Sequence, residues 1–210
     1  MESLWKAIAS QISLAEGVAV AAIFINVYLT ARNSIWCWIW GIIGVVLYGY
    51  VFFVSHLYSS MALQAIYYLP MQFYGWWVWL RYGPKRDNDL PIAKLSARGR
   101  IFWFGINLPA AAFLGYIMTY TDAQLTYTDA LVTVMSITAQ YLLTHKYIEN
   151  WLLWIPVDII YACYLLPKQG LYISAVLFFI LLLMSIWGVL KWRRIMQRES
   201  TQKLTASTHG

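Results

Sequence analysis

Long apolar runs alternate with short polar breaks along the whole of this 210-residue chain. A helix needs about 20 mostly apolar residues to cross a bilayer. Seven windows reach or approach that length: 12–31, 35–54, 59–80, 101–120, 125–145, 151–167 and 170–191. The sixth is short and contains Pro156. Segment 81–100 interrupts the series with Gly83, Pro84, Asp87, Asn88, Asp89, Pro91 and six basic residues, a composition that predicts a solvated linker. Beyond Lys191 the chain turns polar. The pattern predicts an all-α membrane protein with seven transmembrane helices.

Composition strengthens that reading. The chain is 61% hydrophobic and 11% charged, against about 25% charged in soluble domains. So much apolar surface would aggregate in water. Cys37 and Cys163 lie within apolar runs and read as small buried thiols rather than a disulfide. No basic n-region, short apolar core and cleavage site follow one another at the start, so the first run reads as a retained helix. Charge then sets the orientation. With seven spans, 13 of the 15 lysines and arginines fall on one side; only Lys6 and Lys168 fall on the other. Basic residues stay cytoplasmic, which places the N-terminus outside and the C-terminus inside. Orientation accounts for the basic linker without any nucleic-acid partner.

Sliding the chain against itself by 113 or 114 residues exposes a repeat. Glu16 falls on Asp129, Tyr28-Leu29 on Tyr141-Leu142, Trp40 on Trp154 and Tyr50 on Tyr164. His56-Leu57-Tyr58-Ser59-Ser60 falls on Gly170-Leu171-Tyr172-Ile173-Ser174, and Gly75, Trp79 and Arg81 fall on Gly188, Trp192 and Arg194. The predicted organisation is a first three-helix repeat at 12–80, the linker at 81–100, a linker helix at 101–120, a second three-helix repeat at 125–191 and a cytoplasmic tail at 192–210. The repeats begin four spans apart and share one orientation. This 3+1+3 parallel arrangement is SWEET-like, and such folds place their site near the bilayer midplane between repeats that rock against each other.

Polar residues inside the apolar windows carry the candidate chemistry. Thr126, Asp129, Thr133, Ser136, Gln140 and Thr144 fall on one helical face. Such a stripe either lines a water-filled cavity or joins helices by hydrogen bonds. Asp158 lies about seven residues, roughly 10 Å, into the sixth window, with no lysine or arginine in the middle of any window to pair with it. Ionised and unpaired it would cost several kcal/mol, so it is protonated, or holds hydrogen bonds to water and neighbours, or meets a cationic substrate; a substrate or gating role stands against a structural hydrogen bond. Glu16 and Asp129 sit near the outer ends of the first helix of each repeat, where the helix macrodipole favours acids; an entry funnel for cations is the alternative. Gln64, Tyr67, Tyr68, Pro70, Gln72 and Tyr74 crowd the third window. The two amides there can read a carboxamide or a ribose hydroxyl, or bond between helices.

Most of the twelve tryptophans lie near window ends, where an aromatic belt is expected. Trp40 and Trp154 lie deeper and could stack on a planar ring or hold a cation. Catalysis is poorly provided for. The histidines are His56, His145 and His209, and there is no HExxH, GxSxG, nucleotide-binding loop or mid-helix lysine in the last window. These absences argue against an enzyme and against an ATPase of the chain's own.

The motifs resemble those of the PnuC-type nicotinamide riboside transporters. The resemblance covers Glu16 to Trp192 and is strongest in Leu57-Tyr58, Leu63-Gln64 and Tyr74-Gly75-Trp76, and in Lys146-Tyr147 with Glu149-Asn150-Trp151-Leu152-Leu153-Trp154, which includes the family's WxxW element. It implies facilitated diffusion of a small-molecule vitamin, nicotinamide riboside, without ion or ATP coupling and without a cofactor. It also implies a cytosolic kinase that traps the vitamin, and a homo-oligomer such as a trimer with one pathway in each protomer. The family pattern has asparagines where this chain has Gly44, Gln72, Asp158 and Trp187, positions that face the substrate region in the implied fold. Relatives carry thiamine, riboflavin or deoxynucleosides. The expected site combines Gln64, Gln72, Gln140 and Asp158 as polar contacts with Trp40, Tyr68, Trp154 and Trp187 as aromatic ones. The rival readings are the same fold with another ring vitamin, and a membrane-embedded enzyme or sensor.

Overall fold

The computed structural model describes residues 2–54, 61, 63–81, 91–120, 126–165, 167 and 172–208. Residues 82–90 of the basic linker, the repeat match at 56–60 with 170–171, and the side chain of Thr126 lie outside these. Among the described residues there are seven α-helices: α1 Glu2–Ala31, α2 Cys37–Val54, α3 Leu69–Arg81, α4 Ala97–Met118, α5 Thr126–Thr144, α6 Glu149–Ile160 and α7 Tyr172–Thr208. π-Helical turns precede α3, at Gln64–Tyr68, and follow α6, at Tyr161–Leu165. The chain forms two compact units, Met1–Asn88 and Asp89–Gly210.

Each apolar window contains a helix, but the ends differ. α1 starts at Glu2, so Glu16 stands in mid-helix and the macrodipole explanation fails for it; Asp129 keeps its place in the first turn of α5. The polar tail continues α7 to Thr208, because 192–208 contains no glycine or proline to stop it. Ser96 caps α4 by accepting the Gly99 N–H at 3.1 Å. Leu14–Ala31, Ala97–Met118 and Ala175–Thr201 are long and apolar enough to cross a membrane; Cys37–Val51 is a shorter apolar stretch. The other helices carry more of the polar candidates.

The last part of the linker is tied to the α5–α6 turn. Ala93 N–H donates to Lys146 O at 3.1 Å, and Ile148 N–H donates to Ala93 O at 3.0 Å. Glu149 is 3% exposed; it accepts the Leu95 N–H at 3.1 Å and lies 3.2 Å from Arg100 Nε. Glu149→Ala strands a buried N–H, with an expected cost of about 1–3 kcal/mol. Arg100 is half-exposed, so its side of the pair adds little. A thermal midpoint equal to that of the parent protein would refute this anchoring role.

Several features recur at a spacing of 113 residues. Asn33 and Lys146 both adopt positive φ, 55° and 54°, and close the same helix-ending turn: Ser34 N–H to Leu29 O and Tyr147 N–H to Leu142 O, each 2.9 Å. Trp38 and Trp79 meet edge-on at 5.4 Å, and Trp151 and Trp192 do so at 5.7 Å. A Cβ on Gly75 would strike the Trp38 ring, and one on Gly188 would come to 2.7 Å from Trp151. These four tryptophans are buried, so the aromatic-belt reading does not apply to them. The rings of Trp38 and Trp151 enter the units because Gly75 and Gly188 leave room. Trp36 and Trp77 remain exposed. This register also sets Leu153 against Trp40, and Trp154 against Gly41, instead of pairing the two tryptophans. Cys37 is buried and Cys163 exposed, and neither forms a disulfide among the described residues; an apolar run in a membrane helix can bury a thiol or turn it outward.

Candidate functional site

In the first unit, three helices converge on an amide. Gln72, from α3, is 7% exposed and lies over Gly41 of α2, where a Cβ would strike the Gln72 amide and come to 3.0 Å from Asn26 Nδ2 of α1. Asn26 Nδ2 itself donates to Cys37 O at 2.7 Å. Gln72 Oε1 is left buried with no partner among the described residues, and so is Gln64 Oε1. Gln64 opens the π-helical turn that leads to Pro70, with Leu69 N–H donating to Gln64 O, five residues back. Proline has no N–H and crowds the carbonyl four residues earlier, and π turns in helices recur at functional sites. Tyr68 is half-buried and meets Tyr67 edge-on at 5.1 Å. Trp40 is half-buried beside Gly41 in sequence.

In the second unit, Asp158 is 3% exposed and accepts a hydrogen bond from Ser185 Oγ of α7 at 2.9 Å. Trp154 leans on the apolar clusters around Leu142, Leu153, Val132 and Val157, between α5 and α6. Gln140 is buried with Nε2 unpartnered among the described residues. The rest of the α5 stripe divides. Ser136 and Thr144 turn their hydroxyls back to Val132 O and Gln140 O, and Asp129 and Thr133 are half-buried. Trp187 is 36% exposed. Two residues is about 200° of helix rotation, which sets Trp187 on the opposite side of α7 from Ser185.

The two units differ where their registers coincide. Gln72 corresponds to Ser185, and Gly41 to Trp154. A long amide over a glycine in one unit becomes a short hydroxyl and a large ring in the other. Sequence reading missed Asn26, Gly41 and Ser185. A glycine 113 residues before a tryptophan, and a serine 113 after a glutamine, were the available signals. Gly41→Ala is expected to displace the Gln72 amide, a flexible side-chain end, so folding should change little. Ligand affinity should fall as far as in Gln72→Ala; calorimetry showing parental affinity in Gly41→Ala would remove this packing from the site.

Native proteins rarely leave buried polar atoms unpaired, and in the helices of an all-α membrane protein such atoms suit a carrier of small polar solutes, whose ligand or water can complete them. The chain belongs to the nicotinamide mononucleotide transporter family, whose model matches residues 13–194. It is similar to the nicotinamide riboside transporter PnuC of Escherichia coli (strain K12), at 28% identity over 86% of this chain and 85% of that protein. PnuC of Neisseria mucosa is 27% identical over 90% of this chain and 75% of its own. The riboflavin/roseoflavin transporter RibM of Streptomyces davaonensis is also 27% identical, over 84% and 83%. A crystal structure of the vitamin B3 transporter PnuC superposes with a TM-score of 0.70 at 25% identity, covering 89% of this chain and 83% of that one.

Proposed function

We propose that this protein carries nicotinamide riboside across a bacterial inner membrane by facilitated diffusion, and that a cytosolic kinase traps the vitamin by phosphorylation. The observation that carries the reading is the buried glutamine atoms Gln64 Oε1, Gln72 Oε1 and Gln140 Nε2, each without a partner among the described residues. Ribose hydroxyls and a carboxamide both donate and accept, and so suit such atoms. In this assignment the second unit offers Asp158 to offset the positive pyridinium and Trp154 as a ring face, and the first unit by itself offers the ring faces of Trp40 and Tyr68; Trp187, on the opposite side of α7 from Ser185, is left out of it. We read the fold as seven spans in a SWEET-like 3+1+3 repeat. The tryptophan pairs and turns recurring at 113 residues support that reading. The charge asymmetry supports an external N-terminus and a cytoplasmic C-terminus. A homo-oligomer, a trimer by family resemblance, completes it.

A second cargo, another ring vitamin, has its own support: RibM reaches the same 27% identity as the Neisseria PnuC, over 84% of this chain against 90%. Calorimetry on detergent-purified protein, with nicotinamide riboside, thiamine and riboflavin side by side, separates the two. Tight binding of the riboside alone is expected. Tight binding of either other vitamin alone would reassign the cargo.

A further inference from the structure

We propose that the second unit holds a site for the phosphate headgroup of an anionic glycerophospholipid, built by Lys94, Arg100 and Arg193. These cations line a pocket of about 210 Å³ together with Glu149, Leu152 and Val189. Lys94 precedes α4, Arg100 lies in its first turn, and Arg193 lies on α7. Keeping positive charge on one side of a membrane does not require two separate stretches of chain, 94–100 and α7, to converge on one pocket.

The pocket has unspent positive charge. Lys94 and Arg193 are exposed and make no hydrogen bond or ion pair among the described residues. Arg100 reaches Leu95 O and Glu149 through Nε alone, which leaves its terminal amino groups to donate outward. Glu149 is the one carboxylate among the described lining residues, and it is committed to Leu95 N–H and Arg100. Three cations against one acid suit a phosphate diester, which Arg and Lys bind by charge-assisted hydrogen bonds.

The pocket also lies where a lipid headgroup would be. In α4 Arg100 is followed directly by the apolar residues from Ile101, and in α7 Arg193 comes just after the apolar residues that end at Leu190. Leu183, Ile186 and Leu190 are exposed at one-turn spacings along α7, and Leu152 is exposed in the pocket wall. An acyl chain can follow these side chains while its phosphate stays among the cations. A free phosphate would gain nothing from them. Basic pockets beside membrane helices recognise anionic lipids in this way.

The test is thermal melting of the full-length protein in nanodiscs of phosphatidylcholine, with and without 20–30% phosphatidylglycerol, a level taken as roughly that of a moderately anionic membrane. The parent protein should melt several degrees higher in the anionic discs. Lys94→Gln and Arg193→Gln should each lose at least half of that shift while melting like the parent in phosphatidylcholine. Arg198→Gln, on α7 but outside this pocket, should keep it. Equal loss in all three variants, or no shift in the parent, would overturn the site. Abolition of the shift by millimolar inorganic phosphate at constant ionic strength would overturn the assignment to lipid.

Discussion

Asp158→Ala is expected to weaken vitamin binding by about 5- to 150-fold, the equivalent of about 1–3 kcal/mol for a buried polar partner left unpaired. Asp158 is almost completely buried, and Ser185 engages only one described carboxylate oxygen, Oδ2 at 2.9 Å. If the acid's task were only to hold α6 to α7, Ser185→Ala would cost as much as Asp158→Ala in melting and neither would change affinity. Recognition of a cationic ring makes a different pattern. Asp158→Asn keeps an oxygen that can accept from Ser185 but lacks the charge. It should bind a neutral ring ligand about as well as the parent protein and a cationic one much more weakly. Calorimetry with one cationic and one neutral ring ligand reads this directly. Equal losses for the two ligands would leave Asp158 a structural role.

The largest stability effects are expected at the two glycines that admit tryptophan rings. Adding a methyl group at Gly75 drives it into Trp38, and at Gly188 brings it to 2.7 Å from the Trp151 ring. A ring packed edge-on against a second buried indole cannot swing aside as a flexible side-chain end can. Overpacking of this kind costs about 1–3 kcal/mol. Gly75→Ala and Gly188→Ala should therefore each lower the melting midpoint, Gly75→Ala more because its contact is closer. Gly105→Ala is the control: its Cβ would meet nothing within 4 Å, and replacing glycine inside a helix should stabilise slightly. A Gly188→Ala protein that melts with the Gly105→Ala control would contradict the packing described for the second unit.

The helices were legible because apolar length is a strong signal, and the polar candidates because an amide or acid is conspicuous in an apolar run. Asp158, Gln72 and Gln140 were found for that reason, and all three are buried. Their partners were not legible. Ser185 is an ordinary serine until α7 folds against α6, and Gly41 gains meaning only when Gln72 lies over it. Tryptophan misled in the other direction. Trp38, Trp79, Trp151 and Trp192 stand near window ends as belt residues do, yet glycines on neighbouring helices make room inside for Trp38 and Trp151, against which Trp79 and Trp192 pack. The run of α7 through the polar tail was overlooked because hydropathy reports the solvent of a helix, and propensity decides whether the helix continues.

The most direct test of the proposed transport is uptake of radiolabelled nicotinamide riboside into proteoliposomes that contain this protein, without ATP, kinase or ion gradients. The label should enter until inside and outside concentrations match, at a rate unchanged by an imposed pH gradient and much reduced by Asp158→Ala. Accumulation above the outside concentration when the pH gradient is applied, or no entry beyond that into empty liposomes, would contradict facilitated diffusion of this vitamin.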